Sequence, residues 1–564
     1  MPTDFAQIVL HCAPADPNQG FVREVVEHWG LMAQWAETLD ETVLNGCDVL
    51  VLFGPGTVTE SMNSAVGGWV ERGGQLLCVG STWELQNVLG LLPFEHVAIG
   101  RSHLQPLSGA ALFWPEEVGE IAIAGGVLAA TTASEMLAQC GPDFCGFSHR
   151  VLGRGAAYFV AGDLGRTVSL YQQGVGVATA GVGPNDGTVK FGQGPLRAED
   201  GIALDFNRDR SHAEHNQAPY FGTPHTDAFK ELVLKWILRA TAECGKSAAI
   251  AWYWPDNAEG IAMINVECDD FDPDHVFRMK QIMDVSAVPS NWLVPSPGYP
   301  LETYRMIRRW DDEVGLLYVP GEHWSDAAMR SQYLLIGRSS GTPALLTASI
   351  RDGGWEGYNE FYAMSDGAGA RLSVAKGGRQ PGSAGFAFGT CHPFYPRKRD
   401  GSAYLTLELP VTVYDPGHTT PTSTMHAIFR QTAMRHGCAN VTMQVRMYQN
   451  VHGPISMKQV FLLAKQYRLQ WTLPNTLILF QRARRHLQWT VDTRGSITLQ
   501  SDLALNSLTL MVTGHETQWT ANQIRPRNVR VTRYGIDFTT VTVDLGARSP
   551  LTLAPARELD DLAA

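Results

Sequence analysis

Apolar runs and amphipathic stretches alternate through the first hundred residues. Residues 48–53 and 75–79 are nearly continuous apolar runs, which are typical of parallel strands buried on both faces. Residues 59–72, which lie between them, repeat apolar side chains at helical spacing, and the glycine pair that follows stops the helix. Because strand, helix and strand succeed one another without hairpin turns, the pattern predicts right-handed βαβ units and an open parallel α/β sheet.

A second α/β pattern follows in the middle of the chain, and a different pattern closes it. The middle strands and helices are predicted at 261–266, 273–283, 301–309, 314–319, 344–348, 405–412 and 475–485. From residue 486, short alternating segments separated by turns predict an antiparallel β-sandwich. The expected fold is therefore multidomain α/β, with an open parallel α/β domain at 1–245 that includes a long connecting loop at 181–224, a second α/β domain at 250–485 and a β-sandwich at 486–564.

Length and charge narrow the classes of protein. The 564 residues suggest three or four domains of ordinary size. The formal net charge is -12 and no run of lysine or arginine stands out, so we expect no nucleic-acid partner. No apolar stretch reaches the length of about 18 residues that a membrane span needs, so no span is expected. These features leave assembly into a homo-oligomer open.

The N-terminus and the cysteines bear on the compartment. The first residues show no basic segment followed by an apolar core and a small-residue cleavage site, so no secretion signal is expected. The nine cysteines are scattered and odd in number, which fits a reducing compartment better than a disulfide framework. We therefore expect a cytoplasmic protein, with an extracellular or periplasmic one left open if the chain is a trimmed form. No CxxC pair occurs, so a thiolate zinc site is not expected.

Several segments of the middle pattern, taken in order, resemble the polysaccharide-deacetylase (NodB-homology) superfamily. The segments are WYWPDNAEGIAMINVECDDFD at 252–272, DEVGLLYVPGEHW at 312–324, GGWEGYNEFY at 353–362, GFAFGTCHPFYP at 385–396, LELPVTVYD at 407–415 and LQWTLPNTLILFQRARR at 469–485. The resemblance covers residues 250–485. It implies a deacetylase-like (β/α) barrel and a carbohydrate substrate or ligand.

The first α/β domain resembles the class I glutamine-amidotransferase-like fold. The resemblance lies in VLFGPG at 51–56 and GGQLLCVGS at 73–81. Active amidotransferases carry a cysteine on a sharp turn between glycines. Here Gly80 and Ser81 form the turn and Cys78 lies inside the strand, so this domain is expected to be a non-catalytic sheet.

The deacetylase resemblance implies metal-assisted amide hydrolysis. In that chemistry a carboxylate and two histidines hold the metal, and a second carboxylate takes a proton from the bound water. Carried over to this sequence, Glu267 stands at the position of the base, and Asp269 or Asp270 at the position of the metal carboxylate. A solvated turn ahead of Pro273 accounts equally well for the two aspartates.

The histidines of the resemblance are incomplete in this chain. Leu317 stands where the first metal histidine is expected, and Gly321 stands where the second is expected. His323 follows two residues late, and could ligate a metal only if its loop bulges. The metal implied by the resemblance is zinc, but this donor set favours a harder ion or no metal at all.

The remaining site residues also come from the resemblance. Arg351 stands at the position of the arginine that orients the base, and a surface salt bridge is its alternative role. His392, beside the aromatic residues of a possible sugar-lined cleft, is a candidate catalytic residue or a histidine packed in a turn. The aromatic side chains expected to bind substrate are Trp355, Phe394 and Tyr395.

Two further observations concern histidine. Met447 and Tyr448 stand where the acid histidine and its proline are expected, and His452 comes a few residues later. His212 and His215 have the spacing of metal ligands, but they lie in a predicted loop, so a metal site there is the less favoured interpretation.

Three functions stay open from the sequence. The first is a pseudoenzyme or carbohydrate-binding relative that keeps the deacetylase barrel with a degenerate metal site. The second is an active metal-dependent hydrolase that removes N-acetyl groups from amino-sugar polymers with a rearranged site. The third is a non-catalytic structural or assembly protein. Bound metal distinguishes the second from the others.

Overall fold

The computed structural model describes residues 4–556 except 178, 180, 191–195, 322–323, 343, 356–357, 515–517 and 523–525, and without the side chains of 94–98. The chain forms two compact units. The first consists of Met1–Ser169, Ala228–Asn257 and Phe480–Ala564, and the second of Leu170–Asp227 and Ala258–Leu479. The three-domain division made from the sequence stays a prediction.

The first unit contains a mixed sheet of nine strands. In spatial order its strands are Gln34–Ala36, Ile8–Cys12, Val49–Phe53, Gln75–Val79, Gly155–Val160, Cys145–Leu152, Glu135–Cys140, Arg101–Pro106 and Ile121–Ala124. The first five are parallel, as predicted, and the last four pair antiparallel. The strands Leu91–Ala98 and Val127–Thr131 form a separate antiparallel pair.

Helices connect the parallel strands of the first unit. They are Gln19–Trp29, Glu41–Asn45, Glu60–Glu71, Gln86–Leu89, Leu164–Thr167 and His225–Glu243, with a 3-10 turn at Ser108–Ala110 and a π-helical turn at Val168–Gln173. Thr59 begins Glu60–Glu71, because its hydroxyl accepts a hydrogen bond from the Met62 N–H. The predicted helix at 59–72 is therefore confirmed within one residue at each end.

Two antiparallel sheets close the first unit. One has the strand order Ala249–Ala251, Leu505–Thr513, Ile536–Leu545 and Asn528–Arg533, and the other Gln488–Val491, Ile497–Gln500, Leu551–Pro555 and Trp519–Ala521. Buried side chains of both sheets, among them Leu510, Leu499 and Leu553, share one hydrophobic core. The antiparallel β-structure predicted from residue 486 onward is confirmed.

The second unit contains a parallel sheet around the strand Gly260–Glu267. In spatial order its strands are Leu407–Glu408, Leu372–Ser373, Thr347–Ile350, Glu313–Tyr318, Asn291–Val294, Gly260–Glu267, Cys438–Gln444 and Val413–Tyr414, and Leu469–Trp471 pairs with the start of Gly260–Glu267. Every residue of Gly260–Glu267 is buried. This burial on both faces explains the nearly continuous apolar run in its sequence.

The parallel sheet of the second unit curls. Residues 407–414 supply Leu407–Glu408 to one edge of the sheet and Val413–Tyr414 to the other. A short run of chain therefore pairs with both edges, and the sheet has the curled form of a half-barrel. The sequence predicts one strand at 405–412, and the structure divides it into two short ones.

Helices surround the parallel sheet of the second unit. They are Pro273–Asp284, Leu301–Arg309, Asp326–Ser340, Glu360–Ala368, Thr422–Met434, Gly453–Gln466 and the first half of Pro474–Arg485, with 3-10 turns at Ala198–Gly201, Arg351–Gly353 and Met447–Gln449. The 3-10 turn Pro255–Asn257 belongs to the first unit. The predicted loop at 181–224 contains the short strands Ser211–His212 and Pro219–Tyr220. In the described part of the chain, each helix is too short or too polar to cross a membrane.

Candidate functional site

Charged side chains gather where the central parallel strands of the second unit end. Glu267 ends the strand Gly260–Glu267 and pairs in register with Gln444, near the end of its own strand. Carboxyl ends of neighbouring parallel strands meet at the same edge of a sheet, which is the usual place of active sites in (β/α) folds. We call the group at this edge the strand-end cluster; its members are Glu267, Asp269, Asp270, His275, Arg351, Arg379, Tyr414, Asp415 and Arg446.

Glu267 is the buried centre of the strand-end cluster. Its Oε1 lies 3.2 Å from Arg379 Nη2, and its Oε2 accepts a hydrogen bond of 2.9 Å from the Tyr414 hydroxyl. Burial raises the pKa of Glu267, against the effect of the Arg379 charge. Arg379 also donates to the Ser349 hydroxyl and to the carbonyls of Val374 and Ala375. Both charged groups are thus held in place from several sides.

Asp269 and Asp270 form the partly exposed side of the strand-end cluster. Asp270 Oδ2 accepts a hydrogen bond of 2.6 Å from His275 Nδ1 and forms an ion pair with Arg446, whose Nε lies 3.0 Å away. Asp269 Oδ2 lies 3.5 Å from Arg446 Nη2. Asp269 Oδ1 is buried and accepts no hydrogen bond from the described residues. A buried acceptor of this kind calls for a donor, so the hydrogen bonding of Asp269 Oδ1 is left incomplete by the described residues.

Asp415 adds a second buried carboxyl group to the strand-end cluster. It follows the strand Val413–Tyr414, and its Oδ1 accepts a hydrogen bond of 2.8 Å from the Gln444 N–H. Burial raises the pKa of Asp415 to about 7, and the neighbouring charges of Glu267 and Asp269 act in the same direction. A carboxyl group with a pKa near neutrality can exchange protons at physiological pH.

Arg351 lies on the 3-10 turn Arg351–Gly353, which follows the strand Thr347–Ile350. Its Nη2 donates a hydrogen bond of 3.4 Å to the backbone carbonyl of Asp269. The guanidinium that pairs with Glu267 belongs to Arg379, a residue that sequence reasoning missed. The structure therefore brings Arg351 to the strand-end cluster, where it contacts the Asp269 backbone.

The histidine positions of the deacetylase resemblance give a mixed result. Leu317 is buried inside the strand Glu313–Tyr318, and Gly321 lies in the loop that follows. His323, predicted as a metal ligand, lies outside the described residues. The strand-end cluster instead contains His275, a histidine that the sequence analysis did not select. Its Nδ1 is hydrogen-bonded to Asp270 Oδ2. Its position three residues after the N-cap Asp272 places it beside the predicted aspartates.

The three predicted substrate aromatics differ in exposure. Trp355 is fully buried, and its ring lies against Phe361 and Tyr362, with the Lys376 Nζ 4.6 Å from the ring centroid. Phe394 is also buried, whereas Tyr395 is half-buried. Trp355 and Phe394 therefore act as core side chains in this structure.

His392 lies at the other end of the parallel sheet. Its Nε2 donates a hydrogen bond of 2.8 Å to the Arg435 carbonyl, and the neighbouring Cys391 carbonyl accepts from the N–H of Cys438. Cys438 begins its strand and pairs with Ile261, six residues before Glu267. At about 3.3 Å per residue, the two ends of the sheet are roughly 20 Å apart. The structure does not bring His392 to the strand-end cluster.

A group of side chains that could bind a metal includes His392. Within the described ranges, one group of three side chains has the composition and spacing to hold a metal: Asp227, Cys391 and His392 are all buried, with ligand atoms within 4.8 Å of one another. The carboxylates of the strand-end cluster form no such group there, and neither do His212 and His215. The described donors at the strand ends therefore do not fit the zinc of the deacetylase resemblance.

Comparisons with known proteins give distant similarities. No protein-family profile and no curated protein match the sequence. Among solved structures, the chain is similar to Agd3, described as a novel carbohydrate deacetylase, at 10% identity and a TM-score of 0.41, over 98% of this chain and 99% of Agd3. It is also similar to a β-galactosidase from Bacillus circulans sp. alkalophilus, at 14% identity and a TM-score of 0.24, over 28% of this chain and 29% of the enzyme.

A third similarity is to the cytoplasmic protein STM3548 from Salmonella typhimurium. The identity is 12% and the TM-score 0.24, over 28% of this chain and 88% of that protein. The chain spans less than a third of the length of the β-galactosidase it matches. At these identities and TM-scores, the similarities do not place the chain in a family.

Proposed function

We propose that this protein is a carbohydrate-binding relative of the polysaccharide deacetylases whose strand-end metal site is degenerate. The observation that carries the proposal is the pairing of the candidate metal carboxylates with a protein cation. Asp269 and Asp270, which stand at the position of the metal carboxylate, both lie within ion-pair distance of Arg446. In a metal-dependent hydrolase, the positive charge that opposes such a carboxylate comes from the ion. Here the Arg446 guanidinium supplies it.

Leu317 supports the same proposal. It stands at the position of the first metal histidine of the resemblance and is buried in its strand. A leucine side chain offers no lone pair, so a metal at this position loses one of its nitrogen ligands. A rearrangement of the following loop cannot restore this ligand, because the Leu317 side chain itself has no donor atom.

The exposed side of the strand-end cluster supports a carbohydrate ligand. Asp269, Arg446 and Gln449 present acceptors and donors suited to sugar hydroxyl and acetamido groups. Phe271 follows Asp270 directly, and 45% of its surface is exposed. An aromatic face beside a few polar groups is the usual composition of a sugar-binding surface.

An active hydrolase is the second candidate, and Asp415 favours it. Burial raises the pKa of this carboxyl group to about 7, beside the carboxyl groups of Glu267 and Asp269. Two carboxyl groups in different environments can serve as acid and base without a change of fold. On this alternative, Asp415 is the proton-transfer group and Asp269 binds the reacting end of the substrate.

Binding and turnover measurements separate the two candidates. We expect an N-acetylglucosamine oligosaccharide to bind in calorimetry, with no acetate released when zinc is added. Phe271→Ala weakens this binding by about threefold to tenfold, because an aromatic stacking contact contributes about 0.5–1.5 kcal/mol. Phe277→Ala is the matched control, because Phe277 is 44% exposed and lies within the next helix.

Any of three results contradicts the proposal. Release of acetate that Asp415→Asn abolishes would establish the hydrolase instead. Absence of binding to both the acetylated oligosaccharide and its deacetylated counterpart would remove carbohydrate as the ligand class. If Phe271→Ala and Phe277→Ala weaken binding equally, the oligosaccharide does not bind at the strand-end cluster.

A further inference from the structure

A buried polar group in the second unit lies far from the strand-end cluster. It consists of Asp227, Cys391 and His392, whose ligand atoms lie within 4.8 Å of one another. All three side chains are buried. We propose that this group binds a transition-metal ion of the zinc type, as a structural site distinct from the strand-end cluster. The inference does not depend on the proposed carbohydrate ligand.

Asp227 is fixed by the turn that carries the other two donors. Its Oδ1 accepts a hydrogen bond of 2.6 Å from the Thr390 hydroxyl, and its Oδ2 accepts one of 2.7 Å from the Cys391 N–H. These two bonds hold the carboxylate in one orientation. Each carboxylate oxygen has a second lone pair, so Asp227 can still bind a metal.

The distance between sulfur and oxygen suits a tetrahedral zinc ion. Cys391 Sγ lies 3.4 Å from Asp227 Oδ2. With bonds of about 2.3 Å to sulfur and about 2.0 Å to oxygen, a tetrahedral ion separates these two atoms by roughly 3.5 Å. The two side chains therefore need little movement to share one ion. When the ion binds, the Cys391 thiol loses its proton to solvent, and the hydrogen bond between the two side chains is replaced by one bond from each of them to the metal.

His392 contributes the nitrogen donor of the group. Its Nε2–H donates to the Arg435 carbonyl at 2.8 Å, so in the neutral ring the lone pair belongs to Nδ1. Histidines that bind metals usually donate their other ring N–H to a carbonyl or carboxylate, which fixes the tautomer. The Arg435 carbonyl fills this role here.

Charge and space are consistent with a divalent ion. A thiolate and a carboxylate carry two negative charges, which one divalent cation neutralises in a buried site. Gly437 leaves the room that sulfur requires, because a Cβ at this position would lie 2.2 Å from Cys391 Sγ. Sulfur, nitrogen and oxygen donors together favour zinc over calcium or magnesium.

Two substitutions test the site while keeping its surroundings. Cys391→Ser keeps the shape of the side chain and removes the thiolate. His392→Gln keeps a donor for the Arg435 carbonyl and removes the Nδ1 lone pair. Cys268→Ser is the matched control, because Cys268 is equally buried and follows Glu267 at the opposite end of the sheet. Circular dichroism establishes that each purified variant is folded.

The measurement is the metal content of the full chain after incubation with zinc and dialysis. We expect about one zinc per chain in the wild type, in Cys268→Ser and in Asp269→Asn, and at least a tenfold lower content in Cys391→Ser and His392→Gln. Cobalt in place of zinc gives the wild type a thiolate-to-metal charge-transfer band that Cys391→Ser lacks. A wild type that retains no zinc and shows no such band overturns the proposal.

The Asp269→Asn variant separates this inference from the function proposed for the strand ends. Zinc lost from Asp269→Asn but retained by Cys391→Ser would place the metal at the strand-end cluster. That result overturns both the buried site and the degenerate strand-end site. Absence of zinc from all proteins overturns the buried site alone, because carbohydrate binding does not require it.

Discussion

Arg379 Nη2 lies 3.2 Å from Glu267 Oε1, and both side chains are buried at the carboxyl end of the central strand. An arginine thus occupies the neighbourhood of the carboxylate that the deacetylase resemblance assigns as a base. Taking two charges out of water is costly, and their mutual attraction offsets this cost only while both are present. The pair is therefore a sensitive point for stability.

Replacing one member of this pair is expected to destabilise the second unit strongly. Arg379→Met leaves the Glu267 carboxylate buried without its cation, at a cost of about 3–5 kcal/mol in the free energy of unfolding. Chemical denaturation followed by tryptophan fluorescence measures this loss. The double variant Arg379→Met, Glu267→Gln removes both charges and is expected to recover a large part of it. A single variant as stable as the wild type would contradict the pairing.

Asp415 predicts a dependence of stability on pH. Its carboxyl group has an ordinary pKa of 3.8 in the unfolded chain, and burial raises it to about 7 in the folded protein. Between these values the folded state binds more protons than the unfolded state, so the free energy of unfolding falls as pH rises. The contribution lost between about pH 4 and pH 7 is on the order of 4 kcal/mol.

Asp415→Asn tests this dependence. The asparagine carbonyl can still accept from the Gln444 N–H, and it does not ionise. We expect denaturation curves of this variant to lose less stability than the wild type between pH 4 and pH 7. Asp492→Asn is a suitable control, since Asp492 is fully exposed. Parallel pH profiles of Asp415→Asn and wild type would show that the carboxyl group ionises normally in the folded state.

The parallel strands could be predicted because each is an apolar run between turn residues. The strand Val49–Phe53 lies inside the predicted 48–53, and the strand Gly260–Glu267 extends the predicted 261–266 by one residue at each end. Burial on both faces requires this pattern in the sequence. The antiparallel strands between residues 101 and 152 were not predicted, because their sheet is only partly buried and their pattern is weaker.

The strand-end cluster was predictable only in part. Asp269 and Asp270 lie at the end of a strand, and their position was read from the sequence. Arg379 was missed because it meets Glu267 across 112 residues of chain, through the curl of the sheet. Asp415 stands in the segment VTVYD just after a strand, which is the signal that could have found it. Contacts that form because a sheet curls over a long stretch of chain do not change the local spacing of apolar residues, so this spacing cannot predict them.

The start of the helix Pro273–Asp284 provides a local test of the region beside Asp270. Asp272 is its N-cap, and the Oδ1 of this residue accepts a hydrogen bond of 2.9 Å from the Asp274 N–H. Asp272→Ala is expected to lower the free energy of unfolding by about 1 kcal/mol, because an N–H of the first turn loses its partner. Asp272→Asn retains the acceptor and is expected to change stability by a few tenths of a kcal/mol. Equal losses in both variants would indicate that charge, and not capping, stabilises this end.

Gly437 provides a test of packing around Cys391 without any metal. A Cβ at position 437 would lie 2.2 Å from Cys391 Sγ and 3.1 Å from the Cys391 carbonyl oxygen. Gly437→Ala must therefore displace the turn that carries Cys391, at a cost of about 1–3 kcal/mol in the free energy of unfolding of the metal-free protein. Gly321→Ala is the control, because no atom lies within 4 Å of the corresponding Cβ. If Gly437→Ala proves as stable as Gly321→Ala in the presence of a chelator, the turn at Cys391 is free to move, and the close approach described here does not constrain it.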